Sequence, residues 1–380
     1  MELGLIFSAY GIVALIAYAI GGPLADKFPA RTLIVAALCS TALGGIYLAT
    51  IPSYFGMKGL FAYWGLTTIL LFWAALIRAT RELGGNRSQG LAFGILDGGR
   101  GLVSALIGTF TVAVFAFLLQ STTEESTLDQ RTGALQSVIY LMIAFIFIVA
   151  GIAFAFLPKV KYEKSSNEHL ELHHLRKVLK LPTIWLQAII IICAYIGYKA
   201  LSDFSLYANE VLGYDEIQSA RVGSLMLWVR PIAAVSAGLL AMRFNTLRLI
   251  NISFLLMLTG CTGFASGFIQ INAEFLFFSA MVATCSGVFA LRALYFSIFQ
   301  EAHVPLVLTG TAVGFISLIG YTPDIFMGPL MGWLLDNNPG IKGHQYLFMV
   351  ISAFTLLGLV TSIIFTQVSK RITSEYARKT

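Results

Sequence analysis

The residues in this chain that could do chemistry are ionisable side chains set inside long apolar runs. Arg100 and Arg230 each fall roughly 13 to 15 Å from the ends of their runs, at about 1.5 Å per helical residue, near the middle of a lipid layer. Asp97 lies one helical turn before Arg100 on the same face. Lys199 and Asp203 are four residues apart, with Tyr195 on the same stripe and Gly197 loosening the helix between them. Asp324 follows Pro323, past the middle of its own run. A charge at the bilayer centre costs about 2.5 to 3.5 kcal/mol even on the lenient insertion scale, so these groups must face a cavity or one another. Two guanidinium groups at similar depth, helped by Lys199, could hold a carboxylate or phosphate through forked hydrogen bonds. Asp97, Asp203 and Asp324 would then be internal partners that the anion displaces. Structural ion pairs between helices are the alternative reading of the same residues.

Other chemistry is thinly represented. His169, His173 and His174, with Glu168 and Glu171 nearby, have spacing that could bind a metal, but they sit in a charged stretch that reads as a solvated linker. The four cysteines, Cys39, Cys193, Cys261 and Cys285, lie inside apolar runs without a C-x-x-C pair, against a disulfide framework or a zinc knuckle. No H-E-x-x-H, G-x-S-x-G, Walker or dinucleotide pattern occurs in a fitting context. No cofactor, no metal and no enzyme chemistry is expected.

The elements that position these groups follow from hydropathy. The 380 residues are 57% hydrophobic and 12% charged, and the mean hydropathy is +0.81. A soluble domain carries about a quarter charged residues, so the excess apolar surface needs lipid as its solvent. Eleven runs are long enough to cross, with cores at 3 to 24, 32 to 51, 60 to 82, 90 to 119, 134 to 157, 184 to 206, 221 to 242, 248 to 270, 274 to 297, 308 to 330 and 345 to 367. Helices are the expected form, because a helix satisfies its own backbone in lipid and the strict alternation of barrel strands is missing. Assigning the connections alternately to two sides puts 17 Lys and Arg on one side and four on the other, Lys58, Arg131, Arg221 and Lys342. By the positive-inside rule the tail with Lys370 and Arg371 is cytoplasmic, and the net charge of +6 is a topology signal rather than a nucleic-acid footprint. The polar stretch from Lys159 to Pro182 reads as a cytoplasmic linker between five spans and six.

An internal repeat organises the spans. Gly22-Pro23-Leu24-Ala25-Asp26-Lys27-Phe28 recurs as Gly238-Leu239-Leu240-Ala241-Met242-Arg243-Phe244 at an offset of 216. Gln89-Gly90-Leu91-Ala92-Phe93-Gly94 answers Thr309-Gly310-Thr311-Ala312-Val313-Gly314 at 220, and Arg78 answers Arg292 at 214. The span at 184 to 206 has no counterpart after Met1, so the first half is expected to lack its opening helix. Gly90, Gly94, Gly98 and Gly101 form a small-residue stripe suited either to close packing or to a sliding interface.

The segment from Gly22 to Arg31, with its Asp26-Lys27 pair and with Pro29 and Thr32 departing from the pattern, resembles the signature loop of the major facilitator superfamily. Span count, central linker and parallel repeat extend the resemblance over nearly the whole chain. It implies an all-α membrane bundle of about 11 helices, five plus six, in two pseudo-repeats. The expected parts are an N-terminal half at 1 to 158, a linker at 159 to 182, a C-terminal half at 183 to 369 and a cytoplasmic tail at 370 to 380. It further implies a secondary carrier that alternates access between two rocking halves, in a bacterial inner membrane, acting as a monomer on a small molecule with H+, Na+ or a counter-anion as coupling ion. Gln89 to Leu102 and Leu308 to Asp336 look most like carriers of organic anions or sugar phosphates. On this reading Arg100, Asp97, Arg230, Lys199, Tyr195 and Asp324 bind substrate, while Gly22, Asp26, Lys27, Arg31, Arg78 and Arg292 gate. Asp26 would accept hydrogen bonds from a helix N-terminus and latch one access state. Arg78 and Arg292 also fit simple snorkelling anchors at their span ends. Two other classes remain open: a nontransporting sensor or degenerate carrier, and a membrane-embedded enzyme on lipid-linked substrates. The enzyme would need clustered acids or histidines at a membrane face, which this chain does not show.

Overall fold

In a computed structural model, residues 2–85, 88–120, 128–158 and 178–377 are described. They form helices α1 (Glu2–Lys27), α2 (Ala30–Ala49), α3 (Tyr54–Gly65), α4 (Ala74–Gly84), α5 (Gln89–Gln120) and α6 (Leu128–Phe156). After the central stretch come α7 (Pro182–Ala200), α8 (Asp203–Glu210), α9 (Glu216–Ala241), α10 (Thr246–Ala265), α11 (Glu274–Leu294), α12 (Thr309–Gly320), α13 (Pro323–Asn337) and α14 (Ile341–Ala377). Among the described residues there is no strand, and 11 helical stretches are long and apolar enough to cross a membrane. That is the all-α class and the number of spans expected. Most of the expected linker, including His169, His173 and His174, lies outside the described residues.

Polar turn residues start several of the helices. Asp215 accepts from Gln218 N at 2.7 Å while the Gln218 side chain accepts from Asp215 N at 3.1 Å, a reciprocal cap for α9. Asn245 Oδ1 accepts from Leu247 N and Arg248 N at 3.0 and 3.3 Å and opens α10. Pro182 stands in the first turn of α7, where its missing N–H costs nothing.

Three of the expected continuous spans are interrupted. Between α3 and α4 the chain runs through a π-helical stretch, Leu66–Trp73, and Tyr10 of α1 hydrogen-bonds Thr68 there at 3.0 Å. The run read as 184 to 206 breaks between α7 and α8, where Ser202 Oγ donates to the Lys199 carbonyl at 3.1 Å. The run read as 308 to 330 breaks between α12 and α13, and Pro323, without an N–H to give, opens α13. Both breaks fall beside ionisable residues: Lys199 precedes the first and Asp324 follows the second.

Two compact units are built from interleaved segments. One comprises Met1–Ala79, Ser104–Arg176 and Leu306–Phe315; in it α1 packs on α3 and the π-helical stretch, and α2 packs on α6. The other comprises Thr80–Val103, Lys177–Pro305 and Ile316–Thr380; in it α10 packs on α11 and α14, α9 on α11, and α7 on α14. Its centre is aromatic, with Phe264 and Phe348 rings 4.6 Å apart and Tyr207, Phe204 and Phe277 fully enclosed around them. Large apolar side chains such as Ile16, Phe110 and Ile148, in the middle of their helices, point outward, as a bundle solvated by lipid requires.

Candidate substrate site and latch

In the second unit, helices α5, α7, α9, α11 and α13 bring ionisable and aromatic groups together. Asp97 of α5 is buried and takes a fork from Arg230 of α9, with Nη2 donating to Oδ1 at 2.8 Å and Nε to Oδ2 at 3.4 Å. Gly101 makes room for this arginine, since a Cβ there would sit 2.9 Å from the Arg230 stem. Arg292 of α11 approaches the same carboxylate, its Nε 3.9 Å from Asp97 Oδ1, and its guanidinium stacks 3.9 Å over the Tyr198 ring. Its side chain is 8% exposed, and Nε and Nη1 have no hydrogen-bond partner among the described residues. Arg100, one turn beyond Asp97, is exposed and adds its field to that of the other two arginines on Asp97.

Tyr198 continues the cluster to α7 and α13. Tyr195 and Tyr198 stack with centroids 5.5 Å apart, and the Tyr195 ring meets Tyr321 edge-on at 4.7 Å. The Tyr195 hydroxyl donates to both Asp324 oxygens, at 3.0 and 3.2 Å, and Lys199 Nζ reaches Oδ1 at 2.8 Å. Tyr295 and Tyr321 share a hydroxyl hydrogen bond of 3.2 Å. Lys199 stands in the last turn of α7 and Asp324 in the first turn of α13, so the pair forms where both helices break. Chemically, the cluster offers cations over a shared carboxylate, flat aromatic faces and a Lys–Asp pair that is partly open to solvent.

The first unit holds a different polar assembly. Asp26, near the end of α1, accepts from Gly310 N, Thr311 N and Thr311 Oγ1, each at 2.6 Å. These are first-turn donors of α12, which have no partner within their own helix and carry its positive dipole end. Arg78 Nη1 lies 3.4 Å from Asp26 Oδ1 and donates to the Ala25 carbonyl at 2.7 Å, buried rather than extended to an interface. Lys27 is exposed, and Arg31 sits 4.2 Å over the Phe154 ring. Gly22 lets the backbones touch: a Cβ there would collide with the Gly310 carbonyl and stand 3.1 Å from Gly314 Cα.

Of the six residues expected to bind substrate, Asp97, Arg230 and Arg100 share one part of the second unit, and Tyr195, Lys199 and Asp324 are bonded together beside Tyr198. Arg292, expected with the gating residues, lies against Asp97 and links the two groups. Arg78, its partner in the repeat, lies with Asp26. Sequence reasoning overlooked Tyr198, Tyr295 and Tyr321, although Tyr195 and Tyr198 at helical spacing were a usable signal. It also passed over Arg81, which is buried and donates to the Val304 carbonyl at 2.7 Å, and His344, described below.

A family model described as Major Facilitator Superfamily matches residues 1–323. The chain is similar to the inner membrane protein YqcE of Escherichia coli K12, 27% identical over 96% of this chain and 85% of the relative. It is also similar to the inner membrane protein YihN of the same organism, 25% identical over 96% and 86%. Among solved structures, FucP in its outward conformation superposes with a TM-score of 0.75 at 16% identity, covering 96% of this chain and 90% of that one. The proton:xylose symporter XylE bound to 6-bromo-6-deoxy-D-glucose superposes at 0.69 and 12% identity, over 96% and 86%. At these identities the structural likeness speaks for the fold.

Proposed function

The chain belongs to the Major Facilitator Superfamily, and from that premise we propose that it carries a small organic anion or acidic sugar derivative by alternating access. It is a multi-pass membrane transporter and not an enzyme. The anion reading rests on Arg292: a buried guanidinium with two nitrogens lacking an acceptor among the described residues, beside a carboxylate already forked by Arg230, is a site short of negative charge. An unmade hydrogen bond of a buried charged group costs more than about 1 to 3 kcal/mol, and a bound carboxylate or phosphate would remove that cost. Exposed Arg100 would draw the anion in, and Tyr195 and Tyr198 would offer ring faces to a sugar. Asp97 would be released in part as the anion takes its arginines, which links loading to the helices that carry them.

Asp26 supplies the alternation. Its bonds to the start of α12 hold one arrangement of α1 and α12, and breaking them is the step that allows the other. FucP is a fucose:proton symporter, which favours H+ over Na+ or a counter-anion as the coupling ion here. The names of the two Escherichia coli relatives favour an inner membrane, and the Lys and Arg asymmetry favours a cytoplasmic C-terminus. The protein acts as a monomer in this reading.

Uptake into proteoliposomes of a sugar acid, a sugar phosphate and a neutral sugar tests it, with Arg292→Lys and Arg292→Gln beside the parent. We expect an anion to be taken up, KM to rise severalfold in Arg292→Lys, and uptake to fall at least tenfold in Arg292→Gln. Transport of the neutral sugar alone, or an Arg292→Gln protein that moves the anion normally, would refute the anion site.

A further inference from the structure

His344, near the start of α14, is fully buried between two carboxylates of α8. Its Nδ1 lies 2.8 Å from Asp203 Oδ2, and its Nε2 lies 3.2 Å from Glu210 Oε2. A neutral imidazole has one N–H and one lone pair, whereas an ionised carboxylate only accepts. Both contacts can be hydrogen bonds only if the three groups together hold one proton more than a neutral ring and two carboxylates. The surroundings favour placing it on the ring. Asp203 is wholly enclosed and its Oδ1 has no partner among the described residues, so an adjacent imidazolium supplies the compensation that such a buried charge requires. The Tyr207 ring lies 5.0 Å from the imidazole, and Phe264, Phe277 and Phe348 close around Tyr207, which keeps water away.

We propose that His344, Asp203 and Glu210 form a proton-binding site in which His344 is the imidazolium, and that its occupancy ties α8 to α14. Glu210, 38% exposed, is the route by which the proton enters and leaves. The tie acts on the candidate substrate site through the chain itself: Asp203 follows α7 directly across the break at Leu201, and α7 carries Tyr195, Tyr198 and Lys199. The ligand is a proton, bound outside the arginine cluster, so this site stands or falls independently of the anion reading.

The titratable groups facing the ring are Asp203, Glu210 and Tyr207 of α8. Other ionisable groups at this end are Lys342 on α14, Asp336 on α13, Asp215 capping α9, and Glu274 at the start of α11. Only the protonated form makes both bonds. The tie is complete while the proton is bound and is lost as pH rises and the proton leaves.

The test uses the full chain in nanodiscs with 15N-labelled histidine, the His344 signal being assigned by its loss in His344→Gln. At neutral pH we expect the His344 ring to carry protons on both nitrogens and to lose one on alkaline titration, with thermal stability falling in the same step. Glu210→Gln keeps a hydrogen-bonding group at a partly exposed position and should fold even if His344→Gln does not. In it the proton should leave at lower pH, and the pH step in stability should shift with it. A His344 ring protonated on one nitrogen throughout pH 6 to 8, about where histidine ordinarily titrates, would overturn the proposal. So would stability whose pH dependence is the same in Glu210→Gln and the parent.

Discussion

Gly22 of α1 meets Gly310 and Gly314 of α12, and Gly238 of α9, its counterpart in the repeat, meets Gly90 and Gly94 of α5. In the first crossing a Cβ at Gly314 would stand 3.0 Å from Gly22 Cα. In the second a Cβ at Gly94 would stand 2.6 Å from Gly238 Cα. Each crossing joins a helix of the first sequence half to one of the second, and each lies inside one compact unit. The backbones touch in both, yet the chemistry one turn further on differs. At the first crossing Asp26 accepts three hydrogen bonds from the start of α12. At the second, the matching residue is Met242, 55% exposed, with no acid to give. Close approach of two helices therefore does not need the carboxylate. What Asp26 adds is a directional, charge-assisted attachment on top of packing that already suffices, and such an attachment can be made in one state and broken in another.

The largest effect is expected from removing what the two crossings share. Gly22→Leu and Gly94→Leu each push a side chain into opposing backbone, which cannot move aside as a flexible side chain would. Overpacking of this kind costs about 1 to 3 kcal/mol and often more where backbone is struck. Both variants should lower the apparent Tm in detergent by more than about 5 °C and reduce the yield of folded protein. If one of them is tolerated while the other is not, the two crossings are not equivalent even in packing.

Asp26→Asn separates them. Asparagine keeps the shape and one acceptor oxygen, but its NH2 turns donors toward one of the two N–H groups of Gly310 and Thr311, and the charge facing the helix start is gone. Losing charge-assisted bonds at a partly buried position costs about 1 to 3 kcal/mol. We expect transport in proteoliposomes to fall at least tenfold while the yield of folded protein drops far less. Normal transport in Asp26→Asn would reduce the segment from Gly22 to Arg31 to a basic turn that sets topology.

Much of this was readable from the chain. Apolar runs of the right length marked the spans because lipid leaves the backbone no other partner, and the repeat singled out the glycines that build two corresponding crossings, Gly22 on Gly310 and Gly314 and Gly238 on Gly90 and Gly94. Asp26 was legible because an acid at the end of an apolar run needs donors, and helix starts have them. The pairing of charges was not legible. Asp97 has Arg100 one turn away in sequence, but Arg230 takes the fork from another helix, and nothing in local spacing ranks a neighbour in the chain against one across a helix interface. Arg292 read as a residue near a span end because depth was counted along the chain, whereas burial depends on what α7 and α5 place around it. The break at Leu201 and Ser202 carries neither proline nor glycine, so the run read as one helix. His344 stood at the edge of the last run, and its role depends on two carboxylates more than a hundred residues away, at Asp203 and Glu210.

The smallest effect, and the most discriminating, is expected from Met242→Asp. It gives the second crossing the acid it lacks, at the end of α9 and opposite the first turn of α5. If an acid at this point of the repeat were enough to make a latch, the variant would gain what Asp26→Asn loses. Two features argue that it will not. Met242 is exposed, so a carboxylate there keeps its water and gains little from a helix dipole. Leu91 stands where the first crossing has Thr311, so the hydroxyl that gives Asp26 its third bond is missing. Arg243, next in the chain and also exposed, would further satisfy the new charge locally. Met242→Asp should therefore change stability by no more than about 0.5 kcal/mol, as exposed substitutions usually do, and leave transport within about twofold of the parent. Adding Leu91→Thr should raise the apparent Tm above that of either single variant, and slow transport by holding the second crossing shut. If Met242→Asp alone stabilises as much as Asp26→Asn destabilises, the contrast between the crossings lies in the presence of one side chain and not in the donors that receive it.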